Sequence, residues 1–355
     1  MAEATIAPAR ASAPSATLRP YFEKDESPFY RVPEGRRLGS VIATACGADG
    51  HLWILHQFAV NYSGVEPTSL EIQSRLRPVV EFAADGAFVR DWGGADWAPP
   101  AGGLTQWPGN VENIVIDDDG DLWVFGYGAD DHAVLKFSRE GTLKLRIGER
   151  GRKGDDRDTS HMGTPTACYH NVLDREVFVA DGYHNHRIIT FDSDTGAFRR
   201  QWGAYGKEPA TLKPEESFGV PVHQVSRGPD GLLYVADRSK NRVQAFEVSA
   251  DAVRFVREVV IAPGTMGFGS AFDLVFSTCG RFMYVADGMN NRVWIVGIAG
   301  FQVLGWTGSY CDFEGSGNFP AFYGLIHRIA IDRDGNLLLS RTLKGVHRLR
   351  LKFIR

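Results

Sequence analysis

Short runs of apolar residues, separated by polar turns, recur along most of the chain. The clearest is Phe178-Val-Ala-Asp-Gly-Tyr-His-Asn-His-Arg-Ile-Ile-Thr-Phe191. Two relatives follow it, Tyr234-Val-Ala-Asp-Arg-Ser-Lys-Asn-Arg-Val-Gln-Ala-Phe246 and Tyr284-Val-Ala-Asp-Gly-Met-Asn-Asn-Arg-Val-Trp-Ile-Val296. Each reads as a buried strand, a polar turn and a second, alternating strand. Similar hairpins with Asp-Gly turns occur at Asp49-Gly50, Asp119-Gly120 and Asp334-Gly335. The repeats start near Gly39, Asn113, Gly163, Gly219, Gly269 and Gly324. Repeats of roughly 45 residues, each with four strands, predict an all-β propeller of six blades.

The sixth repeat shows three strands, the last running from Gly345 to Ile354. An N-terminal strand is expected to complete it, with Tyr30–Val32 and their neighbours as candidate. The insert from Gln57 to Arg77 exceeds a hairpin turn and reads as a surface loop. Residues 1–16 are rich in Ala, Pro and Ser and read as a disordered lead-in, leaving 17–355 as one propeller domain.

Composition narrows the function classes. The 355 residues are 43% hydrophobic and 23% charged, and the 40 glycines suit many tight turns. A net charge of −4 argues against nucleic acid as a partner. No apolar run is long enough for a membrane helix, and the N-terminus lacks the apolar centre of a secretory signal. Cys46, Cys168, Cys279 and Cys311 have no zinc-like spacing and read as free thiols of a cytoplasmic protein. The expected partner is a small molecule, and oligomeric state is not legible.

Alignment of the repeats on their second strands locates the chemistry. In a propeller the first strand of each blade lines the axis. Counting back twelve residues from the centre of the second strand gives Ile42, Glu112, Ala167, His223, Asp273 and His327. Glu112, His223 and His327 fall in alternate blades, about 120° apart in a sixfold ring. Read singly, His223 is an ordinary buried histidine. Two imidazoles and a carboxylate converging on one axis suit a divalent metal, zinc first, with Fe(II) or Mn(II) open. Asp273 is a candidate further ligand or supporting residue. His51, His132 and His347 read as surface residues.

The turns after the second strands surround this ring with Gln57, Tyr183, Arg238, Met289 and Arg341. Tyr183 sits in a turn one residue longer than its relatives and is the candidate base, with His184 and His186 as neighbouring alternatives. Arg238 is the candidate for pairing with an anionic substrate group. Gln57, Asp273, Met289 and Arg341 complete the expected substrate pocket.

These residues carry a resemblance. The repeats resemble NHL repeats from about residue 39 to 350. Val179-Ala-Asp-Gly-Tyr-His-Asn-His-Arg-Ile, Gln201-Trp-Gly, Phe218-Gly-Val-Pro and Val235-Ala-Asp-Arg-Ser-Lys-Asn-Arg-Val are similar to the peptidyl-α-hydroxyglycine α-amidating lyase family. The resemblance implies a six-bladed propeller with an axial zinc at Glu112, His223 and His327, a catalytic tyrosine at Tyr183 and an active-site arginine at Arg238. Four positions depart from the family. Glu112 stands where the family has histidine, and Gln57 stands for a second arginine. Arg328 replaces a calcium-holding aspartate and leaves a structural calcium in doubt. His184 replaces a disulfide cysteine. Glu112 and Gln57 each lower the positive charge of the pocket. The expectation is therefore a metal-dependent lyase that cleaves C–N, C–O or C–C bonds at a hydroxyl-bearing carbon of a small metabolite. A metal-dependent hydrolase of the lactonase kind and a non-enzymatic binding scaffold are the alternatives.

Overall fold

The computed structural model describes residues 19–58, 68, 73–98, 100–101, 103–308 and 324–354. Six four-stranded antiparallel sheets form the blades. Blade one comprises Ser40–Cys46, Leu52–Gln57, Val79–Phe82 and Phe88–Trp92. Blade two comprises Val111–Ile116, Leu122–Gly126, Ala133–Phe137 and Leu143–Gly148. Blades three and four begin at Pro165–Asn171 and Val222–Arg227, and blade five at Ala271–Phe276. Blade six takes Ile326–Ile331, Leu337–Arg341 and Gly345–Ile354 from the C-terminal part and Arg19–Asp25 from the N-terminal part.

The second strands, such as Glu176–Asp181 and Phe282–Asp287, are buried along their whole length. Sheets face them on both sides, so their sequences are continuous apolar runs. The outermost strand Val253–Val260 alternates half-buried and exposed residues, because only one face meets a neighbour. Six apolar clusters lie between the blades. One joins blades one and two through Trp53, Trp92, Trp107 and Phe137. Another joins blades three and four through Phe178, Trp202, Phe218 and Phe246.

The repeated Val-Ala-Asp motif has a physical reason. The Asp181 carboxylate ends a buried strand, accepts the Gly163 amide at 2.8 Å and pairs with Arg187 at 3.0 Å. Asp237 accepts the Gly219 amide at 2.8 Å and pairs with Arg242 at 2.8 Å. Each pair fastens the chain entering the blade to the turn after its second strand. A buried carboxylate needs such donors to stay charged.

The ring closes on Arg19–Asp25, upstream of the expected Tyr30–Val32. Its register against the last strand runs from Arg19 opposite Ile354 to Asp25 opposite Arg348. Phe22 is buried and meets the Tyr284 ring edge-on at 5.2 Å. Asp25 accepts from Arg348 at 2.6 Å and Arg350 at 2.8 Å. Burial works against the Asp25 carboxylate, yet these guanidiniums hold it well below the usual carboxylate range. The Tyr30–Val32 segment has no partner strand among the described residues. Pro28 and Pro33 interrupt its donors, and its aromatic ring packs on Phe82 of blade one at 5.1 Å. The lead-in expected over 1–16 and most of the Gln57–Arg77 insert lie outside the described residues.

Candidate metal centre and active site

Every innermost strand carries a β-bulge at the same level. The register shifts between Val41 and Ala43, Val111 and Asn113, Pro165 and Ala167, Val222 and Gln224, Ala271 and Asp273, and Ile326 and Arg328. The extra residue leaves the ladder and its side chain is re-aimed. Those residues are Ile42, Glu112, Thr166, His223, Phe272 and His327. The hairpins of blades three and five are one residue longer, since Val179 lies opposite Cys168 and Val285 opposite Leu274. This corrects Ala167 and Asp273 to Thr166 and Phe272 as the axial residues.

Glu112, His223 and His327 meet at the axis, all buried. Glu112 Oε1 lies 3.1 Å from His223 Nε2 and 3.4 Å from His327 Nε2. The other ring nitrogens face backbone carbonyls. His223 Nδ1 is 2.5 Å from Phe272 O and His327 Nδ1 is 2.9 Å from Ile42 O. A carbonyl only accepts, so each Nδ1 carries the proton. In the neutral ring, Nε2 then turns a lone pair toward the carboxylate. Burial and the Arg328 guanidinium hold His223 well below its ordinary pKa, keeping it neutral. Burial alone would neutralise Glu112. Its polar surroundings, with the Arg328 guanidinium 2.8 Å from Oε1, outweigh burial and hold the carboxyl well below its usual range. Lone pairs facing a carboxylate repel it unless a cation lies between them. Ligands about 2.0–2.1 Å from a tetrahedral zinc stand roughly 3.3 Å apart, close to the spacing found here. The residues present therefore fit a divalent metal.

Beneath this ring lies a second polar layer. Arg328 donates to Glu112 Oε1 at 2.8 Å, to Thr166 O at 2.9 Å and to His223 O at 2.9 Å. One buried guanidinium thereby ties blades two, three and four to blade six. It also cancels the charge that Glu112 brings, so the lower pocket charge expected from Glu112 alone does not hold. Asp273 belongs to this layer. Its carboxylate accepts Gln224 Nε2 at 2.5 Å and the Ile329 amide at 3.0 Å.

Above the ring, Tyr183 Oη is 3.2 Å from Glu112 Oε1 and 3.2 Å from His223 Nε2. Burial and the Glu112 carboxylate push this phenol well above its ordinary pKa, with Arg238 and Arg328 opposing. Arg238 is buried, donates from Nε to Phe268 O at 2.8 Å, and points Nη1 at Tyr183 Oη, 3.4 Å away. Its guanidinium lies over the Phe272 ring at 4.0 Å.

The other expected pocket residues divide. Gln57 Oε1 accepts the Val111 amide at 3.0 Å, which commits its carbonyl to the scaffold. Arg341 is buried and donates to Gly324 O at 2.7 Å. Met289 is half-buried in the turn of blade five. His184 is exposed and bonds Thr164 Oγ1 at 2.9 Å, away from the cluster, while His186 pairs with Asp156 at 2.9 Å. His132 is buried, not superficial, with Nδ1 against Gly163 O. His51 and His347 are half-buried. Tyr127, absent from the expected pocket, occupies the blade-two position equivalent to Gln57 and Arg238, three residues beyond Val124.

In a second group of potential ligands, Asp117, Asp119 and His170, the Asp117 carboxylate is already engaged by protein. Asp117 accepts from His170 at 2.8 Å and Trp123 at 2.9 Å, with Lys136 at 3.4 Å. Cys46, Cys168 and Cys279 are free thiols, and Cys311 lies outside the described residues. No described helix is long and apolar enough to cross a membrane.

The chain matches no protein-family model. It is 31% identical over 232 residues to peptidyl-glycine α-amidating monooxygenase A of Xenopus laevis, covering 64% of this chain and 23% of that protein. It is 27% identical over 242 residues to the probable peptidyl-α-hydroxyglycine α-amidating lyase of Caenorhabditis elegans, covering 63% of this chain and 60% of that protein. Thus it spans about a quarter of the first relative and less than two thirds of the second. A streptogramin B lyase structure superimposes with a TM-score of 0.52 at 12% identity, over 94% of this chain and 98% of the other, which bears on the fold alone. Homologues also include NHL repeat-containing proteins. The chain is a six-bladed propeller with homologues among amidating enzymes and NHL-repeat proteins.

Proposed function

We propose that this protein is a metal-dependent lyase acting on a small metabolite at a carbon that bears a hydroxyl group. The observation that carries the reading is the pair of Nδ1-protonated imidazoles aiming their free Nε2 atoms at Glu112, directly beneath Tyr183 and Arg238. A binding scaffold has no need of that convergence. Glu112, His223 and His327 would hold a divalent ion, which would supply positive charge to a substrate oxygen and to the neighbouring phenol. Zinc suits the donor set best, and Fe(II) and Mn(II) also accept it.

The chain's own residues do the rest. Arg238 seats one anionic substituent beside the reacting carbon. Tyr183 Oη, once charge beside it lowers its pKa, accepts the substrate hydroxyl proton. The C–O bond becomes a carbonyl, and the bond from that carbon to its N, O or C substituent breaks. The electron pair leaves with that substituent, which takes up the proton from Tyr183 Oη. Phe272 walls this space with an apolar ring against His223 at 5.5 Å and His327 at 6.2 Å, limiting water.

Gln57 is tied to the scaffold and Arg341 to Gly324, so Arg238 is the guanidinium beside the phenol. This supports a substrate with one anionic group beside the reacting carbon. The test is elemental analysis of purified protein, followed by carbonyl release from an α-hydroxyglycine derivative of hippurate and from small hydroxylated acids and lactones. Stoichiometric metal, lost in His223→Ala, and carbonyl release fastest from a small hydroxylated acid are expected. Metal-free active protein would sink the reading. Fastest glyoxylate release from the α-hydroxyglycine derivative would overturn the changed substrate, and lactone opening without carbonyl release would replace lyase by hydrolase.

A further inference from the structure

The mouth of the site carries an aromatic surface that the proposed chemistry does not use. Tyr127 is 53% exposed, although it follows a fully buried strand, Leu122–Gly126. Its backbone amide is fixed to Asn110 O at 2.7 Å. Its ring lies 4.4 Å from that of Tyr183, tilted by 48°. Tyr183 in turn touches Glu112 and His223. On the Arg238 side, Phe268 is 41% exposed; its carbonyl holds Arg238 Nε, and its ring lies 5.7 Å from the guanidinium. The two residues that touch the reacting groups are therefore each continued toward solvent by an aromatic ring.

An exposed aromatic ring gains little from water, whereas a ring offered to a ligand adds contact at low entropy cost. Isolated exposed side chains need no account. These two are exposed and joined to the site by direct contacts.

We propose that Tyr127 is a specificity-determining platform that stacks a flat apolar substituent of the substrate, next to the anionic group seated by Arg238. The substrate class becomes an aromatic hydroxy acid or its close analogue. The inference rests on the proposed lyase reading only for the anion seat.

The experiment is calorimetric titration of the purified metal-containing protein with phenylacetate and with propionate, in wild type, Tyr127→Ala and Tyr127→Phe. Phenylacetate is expected to bind wild type roughly three- to tenfold tighter than propionate, the range of a single aromatic contact. Tyr127→Ala should abolish that preference, Tyr127→Phe should keep it, and propionate should bind all three alike. An undiminished preference in Tyr127→Ala overturns the platform while leaving the anion seat standing. If neither acid binds wild type, the Arg238 seat is wrong and the platform falls with it.

Discussion

Replacing Arg328 by methionine tests how the axis is held together. The side chain is almost fully buried and makes hydrogen bonds of 2.8–2.9 Å to Glu112 and to carbonyls of blades three and four. Methionine fills much of the volume but leaves a buried carboxylate without its cation and two carbonyls short of a donor. Removing one partner of a buried ion pair costs roughly 3–5 kcal/mol. Glu112→Gln in the same chain removes the stranded charge, so the double variant should recover roughly 2 kcal/mol relative to additive losses. The measurement is equilibrium urea denaturation of chelator-treated protein, followed by tryptophan fluorescence, for wild type, both single variants and the double. If the double variant loses the sum of the single losses to within about 0.5 kcal/mol, Arg328 does not act through the Glu112 charge. The account of a compensated carboxylate would then be wrong.

Tyr183→Phe should retain metal and lower turnover by roughly a hundredfold or more, the usual weight of a proton-transferring group; unchanged turnover removes the phenol from the chemistry. Burial holds His56 down at about 4, and its Nδ1 accepts the Gly39 amide at 3.1 Å. The unfolded chain binds that proton first, so this contribution to stability is full above about pH 6.5 and falls by roughly 3 kcal/mol as pH drops toward 4. His56→Asn should flatten that part of the melting-temperature profile, and an unaltered profile would assign the acid sensitivity elsewhere. Asp25→Ala should loosen the closing strand and cost roughly 1–3 kcal/mol, read as an earlier thermal transition with aggregation from the freed edge. A variant that melts like wild type would show that Arg348 and Arg350 do not anchor the strand through it.

Much of this was legible because the repeat obeys simple periodicities. Apolar runs with Asp-Gly turns give the blades, and counting from the second strand reaches Glu112, His223 and His327. The same count fails in blades three and five, where one extra turn residue moves the axial position to Thr166 and Phe272. Neither a bulge nor a turn length leaves a hydrophobic signature. The closing strand lies upstream of the expected Tyr30–Val32, at Arg19–Asp25, where Pro20 is tolerated because the strand is an edge. Arg328 could not be read as a partner of Glu112, since the two lie 216 positions apart and meet only across the axis. The sequence showed the charge each carries but not that they cancel. His132 looked superficial because its turn is polar, yet the chain entering blade three covers it.

The bulges also bear on how such a protein can change. A residue that stands outside the hydrogen-bonded ladder can be exchanged without re-pairing a strand. Ile42, Thr166 and Phe272 occupy the same level as the three prospective ligands, in blades one, three and five. The axis is therefore a six-place socket in which side chains change without a change of strand register, and half of its places are held by residues other than the three prospective ligands. New donors introduced there would alter the charge and hydrogen bonding of the axis while the strand pairing stays as it is. Divergence of activity in this architecture then needs few substitutions, and those substitutions need not be ones that the packed blades resist.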